Sequence, residues 1–251
     1  MVLFRAFLII TFGNFPAVAM LMNMKGVNGI SPCRNCKIVA IPISSDTNRT
    51  HYIPLTTDLT SLGRNHLELM AAAKQVDEAE TVTAANKIAK ETGIKGTPLL
   101  STLDSLSFPQ SFPLDFMHIV WENVIKTLVG LWTGDYKKID EGKECYQISA
   151  SAWKAIGADG AASGSTIPSA YSPRIPDISK KGSYLSADMW SFWTLYLAPV
   201  LLRNQFKKPE YFTHFIKLVH LLHICLQFEI SASEIEELQT GFREWVEEYK
   251  R

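Results

Sequence analysis

Between Ser186 and Arg203 the chain places Trp190, Phe192, Trp193, Leu195, Tyr196 and Leu197 on nearly every side of one prospective helix. A helix that is apolar all round has no face to give to water, so it must lie at the centre of a bundle. It is too short, and too interrupted by Pro199, to cross a membrane. Two further helices, Pro209–Glu229 and Ser231–Tyr249, follow it. Ser231 with Glu234, or Ser233 with Glu236, can form a capping box at the start of the last one. The composition agrees with a globular, mostly helical protein: 251 residues, 47% hydrophobic and 20% charged, long enough for a sizeable core. Its 25 Lys and Arg balance 25 Asp and Glu, so the chain as a whole carries no electrostatic footprint for nucleic acid. Any such contact must come from a local patch. Four cysteines are too few for a disulfide scaffold.

The N-terminus admits two readings. Arg5, an apolar run and Ala17-Val18-Ala19 imitate a signal peptide with a small-residue cleavage site, although Gly13, Asn14 and Pro16 break the run before it could span a bilayer. Alternatively, Val2 to Phe12 is a buried strand stopped by Gly-Asn, and Pro16 opens a short helix from Ala17 to Met24. Gly26 to Arg64 is loop-rich, with short β segments expected near Lys37–Ile43 and His51–Leu55. One helical pattern runs from Asn65 to Thr92, with Leu67, Met70, Val76 and Ile88 on one side and Gly93 as its C-cap. After a punctuated loop, Gly96 to Pro113, comes an apolar helix, Asp115 to Trp132, ended by Gly134. A charged turn to Glu144 and a helix around Ile148–Ile156 follow, and Gly157 to Lys181 reads as an ordered loop or linker.

Three groups of residues could carry chemistry. Cys33 and Cys36 are spaced so that two thiolates reach one tetrahedral Zn²⁺, and His51 and His66 follow at near-equal intervals as C-x2-C-x14-H-x14-H. A structural zinc would anchor so long a polar loop; unpaired cysteines with surface histidines, or a redox pair outside any thioredoxin-like strand–helix context, are the alternatives. Asp115, His118 and Glu122 line one helix face and could hold a divalent metal or move protons, or could be an N-cap, a packed imidazole and an exposed acid. His214, His220 and His223 read as packing or surface groups, and Trp121, Trp132, Trp190 and Trp193 as core. No phosphate-binding glycine loop and no nucleophile elbow is present in the sequence.

GNFPAVAMLMNMKGVNGISPCRNCKI, HYIPL, GIKGTPLLSTLDSLSFPQSFPLDFMHIVWENVIKTLVGLWTG, AIGADGAASGSTIPSAY and MWSFWTLYLAPVLLR together resemble the CACTA (En/Spm-like) DNA transposases of fungal genomes, from about Leu3 to the C-terminus. The resemblance implies a cut-and-paste enzyme of the DDE type, with an RNase H-like core whose acids hold two Mg²⁺ for phosphodiester cleavage and strand transfer. It implies transposon-end DNA as partner, with a full-length transposase or a host protein as further partners. It also implies nuclear localisation and no membrane association.

In the family the strand matching Leu3–Phe12 ends in Gly-Asp-x-Pro-Ala, and that Asp resembles the second catalytic acid; Asn14 stands there in this chain. Val27 replaces a histidine of the following block, and the strand bearing the first Asp would lie upstream of Met1. Glu122, within MHIVWEN, is the retained acid by resemblance, and Cys33, Cys36, His51 and His66 match a Cys/His zinc knot that interrupts the core. The expected fold is therefore mainly α with a small α/β remnant: a partial RNase H-like core interrupted by a zinc-knuckle insertion, then a helical bundle. The expected blocks are 1–25 (remnant strand and helix), 26–66 (Cys/His loop), 67–156 (helical part of the core), 157–185 (Gly/Ser/Pro-rich loop) and 186–251 (C-terminal bundle). As it stands the chain is expected to be an inactive transposase relative, a pseudoenzyme. The alternative is a domesticated zinc-containing module that binds DNA or protein without catalysis.

Overall fold

Helices make up most of the ordered backbone in the computed structural model, which describes residues 6–27, 29–42, 51–52, 63–136, 144–171 and 173–250, with backbone alone at Pro42, His51 and Tyr52. The chain divides into two units, Met1–Asp115 and Phe116–Arg251, each with its own apolar core.

In the first unit, helix α1 (Phe15–Leu21) starts where Asn14, in extended conformation, accepts a hydrogen bond from Ala17 N at 2.9 Å, with Pro16 in the first turn. Pro is tolerated there because its missing N–H would have no intrahelical partner. Val18 and Met22 on one side of α1 pack with Met24, Leu69, Ala73, Ile94, Leu106, Phe108 and Phe112. Two short strands, β1 (Ile41–Pro42) and β2 (His51–Tyr52), pair antiparallel with Ile41 opposite Tyr52, inside the two segments where β structure was expected.

The strand expected from Val2 to Phe12 is absent over residues 6–14. Phe7, Ile9 and Phe12 are 72, 66 and 72% exposed. The segment is held by isolated hydrogen bonds, Thr11 N to Ser111 O at 2.8 Å and Ser105 Oγ to Leu8 O at 2.6 Å. A strand is stabilised by the ladder of its neighbour, and among the described residues no neighbouring strand pairs with this run.

The single helical pattern from Asn65 to Thr92 is two helices, α2 (His66–Asp77) and α3 (Val82–Thr92), packed on each other. Thr81 is extended and caps α3 through its hydroxyl, so the phase of the apolar stripe is not carried across the break. Of the residues expected on one side, Val76 is buried whereas Leu67 is 79% exposed. Asn65 at the start and Gly93 at the end act as expected, Gly93 with φ +80°.

In the second unit a π-wound stretch, Met117–Ile125, leads into α4 (Lys126–Thr133), which Gly134 closes with φ +72°. Helix α5 (Ala150–Ser163) continues seven residues past Ile156, into what reads in sequence as a Gly/Ser-rich loop. Its glycines belong to packing. A Cβ on Gly157 would lie 2.2 Å from Asp177 Oδ1 and 2.8 Å from Ser179 N, so a neighbouring loop approaches the helix where only glycine fits.

The all-apolar helix is realised as α6 (Ala187–Phe192), a π-wound Trp193–Leu197 and α7 (Ala198–Leu201), capped by Ser186. Pro199 sits two residues after the wide winding, and Leu195, whose carbonyl its ring would meet four residues back, lies within that winding. Trp193 and Leu202 are fully buried in a core that includes Trp132, Phe206, Phe215 and Leu222. Trp132 meets Phe206 and Phe215 edge-on at 5.4 and 5.3 Å. Helix α8 (Pro209–Cys225) packs on α9 (Ala232–Tyr249), where the Ser231/Glu234 capping box is formed. Gly241 permits the approach, since a Cβ there would be 2.6 Å from Leu221 Cδ2. No helix among the described residues is long and apolar enough to cross a membrane.

Candidate functional site

Cys33 and Cys36 lie on a tight loop of the first unit that Arg64 organises from behind. The Arg64 Nε donates to the carbonyls of both Cys33 and Cys36 at 3.0 Å, and its Nη2 donates to Ser31 Oγ and Thr92 O at 2.8 Å. Arg64 N adds a bond to Asn35 O at 2.9 Å, and Cys36 forms a β-bridge with Gly63. Thr92 is the last residue of α3, so the cation also meets the negative end of that helix. Burial pulls the Arg64 proton affinity below the ordinary arginine value, opposed by Cys33, Cys36 and Glu68. It stays charged, because arginine starts so far above neutrality. Gly93 packs on the same loop: a Cβ there would fall 2.2 Å from Ser31 O.

The two cysteines are free and partly exposed. Burial is the main cause that raises the Cys36 pKa, and contact with Cys33 adds to it; the Ile38 backbone N–H and Arg64 oppose it. Beside Cys33, the guanidinium of Arg34 is buried (5% exposed), bonded through Nε to Phe112 O at 2.9 Å and through Nη2 to Pro113 O. It also lies 5.2 Å from the Phe15 ring centre, a cation–π contact. Two arginines thus tie the CxxC loop to the rest of the unit.

His66, expected as a zinc ligand, opens α2 with its Nδ1 accepting a hydrogen bond from Phe108 N at 3.0 Å and its ring against Phe108. That bond uses the Nδ1 lone pair and leaves the ring proton on Nε2. A neutral imidazole binds a metal through one nitrogen only if the other can carry the proton. Here the other nitrogen faces an N–H donor. As held, His66 does not fit a Cys2His2 zinc site. The His51 side chain lies outside the described residues, so two of the four expected donors, Cys33 and Cys36, are brought together. Among the described residues no group of three His, Cys, Asp or Glu side chains is gathered where it could hold a metal ion.

The acid positions expected from the resemblance fall in different units. Asn14 is in the first, exposed, with its side-chain oxygen spent on the α1 cap. Glu122 is in the second, partly buried, and paired with Lys126 one turn on. Asp115 ends the first unit ahead of the helix, and His118 lies within the π-wound stretch, its carbonyl accepting from Asn123 Nδ2. No family model, no curated protein and no solved structure matches this chain.

Sequence reasoning missed Arg64 and Arg34, the residues that shape the loop. Arg34 could have been noticed as a cation inside the CxxC itself. Nothing in the local sequence marks Arg64, because its partners at Ser31, Cys33, Cys36 and Thr92 are brought to it only by folding. It also read His220 as a packing or surface group, whereas packing of α9 on α8 brings Glu237 to 2.7 Å from its ring.

Proposed function

We propose that this chain derives from a CACTA-type cut-and-paste DNA transposase and does not itself cleave DNA. The ancestry rests on the resemblance of its sequence blocks. The loss of activity rests on one observation above the others: the Asn14 side-chain oxygen is committed to the N–H of Ala17. Phosphodiester cleavage by two Mg²⁺ needs carboxylates whose negative charge balances the metals. Asn14 offers a neutral amide, already used as a helix cap, and the Glu122 carboxylate is paired with Lys126. These residues do not fit a two-metal site.

The test uses the purified full chain with duplex DNA carrying CACTA-element termini, in Mg²⁺ or Mn²⁺. No strand cleavage above the protein-free control is expected. Metal-dependent nicking that disappears in Glu122→Gln would sink the inactive reading. Retention of the terminal duplex over a shuffled one in filter binding supports the ancestry, and equal retention of the two removes DNA-end recognition from it.

A further inference from the structure

We propose that Cys33 and Cys36 form a thiol pair that a small-molecule disulfide of the glutathione class converts to an intramolecular disulfide. This stands apart from the transposase reading and from any metal. Three observations carry it. The two cysteines stand three residues apart on one tight loop, close enough that both carbonyls meet the same Arg64 N–H. Both residues are partly exposed, so a small disulfide can approach. The backbone that spaces them is already set, since one guanidinium holds both of their carbonyls at 3.0 Å and the Cys36–Gly63 bridge fixes one end. Pre-setting the loop removes most of the ordering that closing the ring would otherwise cost, and so raises the effective concentration of one thiol at the other.

The chemistry balances in two exchanges. One cysteine thiolate attacks a sulfur of the small disulfide, whose S–S bond breaks to release one small thiol and leave a mixed disulfide. The second cysteine, as thiolate, attacks the protein sulfur of that mixed disulfide and displaces the second small thiol. The protein loses two electrons and two protons, and the small disulfide takes them up as two thiols. The other two cysteines, Cys145 and Cys225, are far along the chain, in the second unit, and serve as internal controls.

The experiment equilibrates the full chain in buffers of graded oxidised to reduced glutathione, blocks free thiols with N-ethylmaleimide and digests with trypsin. Trypsin cuts after Arg34, between the two cysteines, so the disulfide appears as peptide 26–34 joined to peptide 35–37. The expected result is a joined pair that becomes the main species at a defined glutathione ratio, while Cys145 and Cys225 remain alkylated. Arg64→Gln should shift that ratio by about tenfold toward oxidising conditions, the loss expected when the loop is no longer pre-set. Cys33→Ser, which leaves Arg64 in place, should give a glutathione adduct on Cys36 and no joined peptide. The proposal is overturned if both thiols stay alkylatable in oxidised glutathione, or if each carries its own glutathione. It is equally overturned if the chain is purified with one zinc per molecule that blocks oxidation and is lost in Cys33→Ser.

Discussion

The Asn14 side chain satisfies one of the N–H groups that the start of α1 leaves open, and it does so with an oxygen that carries no charge. Removing that oxygen in Asn14→Ala should cost about 1 kcal/mol of stability in urea unfolding, the usual worth of a cap. Asn14→Asp keeps an acceptor and places a negative charge at the positive end of the helix, so it should fold with stability unchanged or slightly raised. It should still fail to nick DNA, because adding one carboxylate leaves Glu122 tied to Lys126. An amide rather than a carboxylate at position 14 is therefore nearly neutral for the helix and matters only for metal chemistry. The sequence shows an uncharged side chain at position 14; its employment as a cap is visible only with Ala17 in place. The same holds for His66. Its spacing after His51 reads as a ligand pattern, yet the Phe108 N–H, which the chain delivers from far downstream, claims the nitrogen.

At the scale of the element, caps were legible and continuity was not. Ser231, Glu234, Asn65, Gly93 and Gly134 stand in the sequence as stop and start signals and act as such, because a cap is a contact between residues a few positions apart. Of the two boxes available to α9, the one built on Ser231 forms, and its Glu234 carboxylate returns to the Ser231 backbone N–H at 2.7 Å. Hydrogen bonds from Ser231 hold the Glu234 pKa below the ordinary glutamate value. A lowered carboxylate pKa contributes stability that is fully present above the unfolded value, about 4.3, and is lost as pH falls through the folded value. Urea unfolding of the wild type and of Glu234→Gln should therefore differ at pH 6 and converge near pH 2.5. A difference that persists at the acid end would show that the carboxylate charge is not what holds the cap. By contrast, the break between α2 and α3 and the extension of α5 were not legible. Glycine and serine lower helix propensity alike wherever they stand, and only the approach of Asp177 and Ser179 to Gly157 makes glycine the residue that α5 requires.

For the molecule as a whole, charge and hydrophobic content set limits that no local motif changes. With equal numbers of acidic and basic residues, non-specific binding to random duplex DNA should be weak, with Kd above about 100 μM at physiological salt and little further loss on raising it. A steep salt dependence in fluorescence anisotropy would instead reveal a basic patch strong enough to act against the balanced total. The second unit's core follows from sequence alone: a helix with Trp190, Phe192, Trp193 and Leu195 has nowhere to go but inside, and Trp193 is fully buried. The first unit's N-terminal run, Phe7 to Phe12, is just as apolar and stays exposed, because burial takes partners as well as hydrophobicity. Composition and periodicity by themselves determined that this is a mostly helical protein, where its main caps lie and which aromatic helix forms its largest core, since those outcomes depend on residues near one another in the chain. Which cations gripped the Cys33–Cys36 loop and which nitrogen of His66 was left without a lone pair were decided only by tertiary structure, because each depends on groups some thirty to eighty residues apart that nothing but the fold brings into contact.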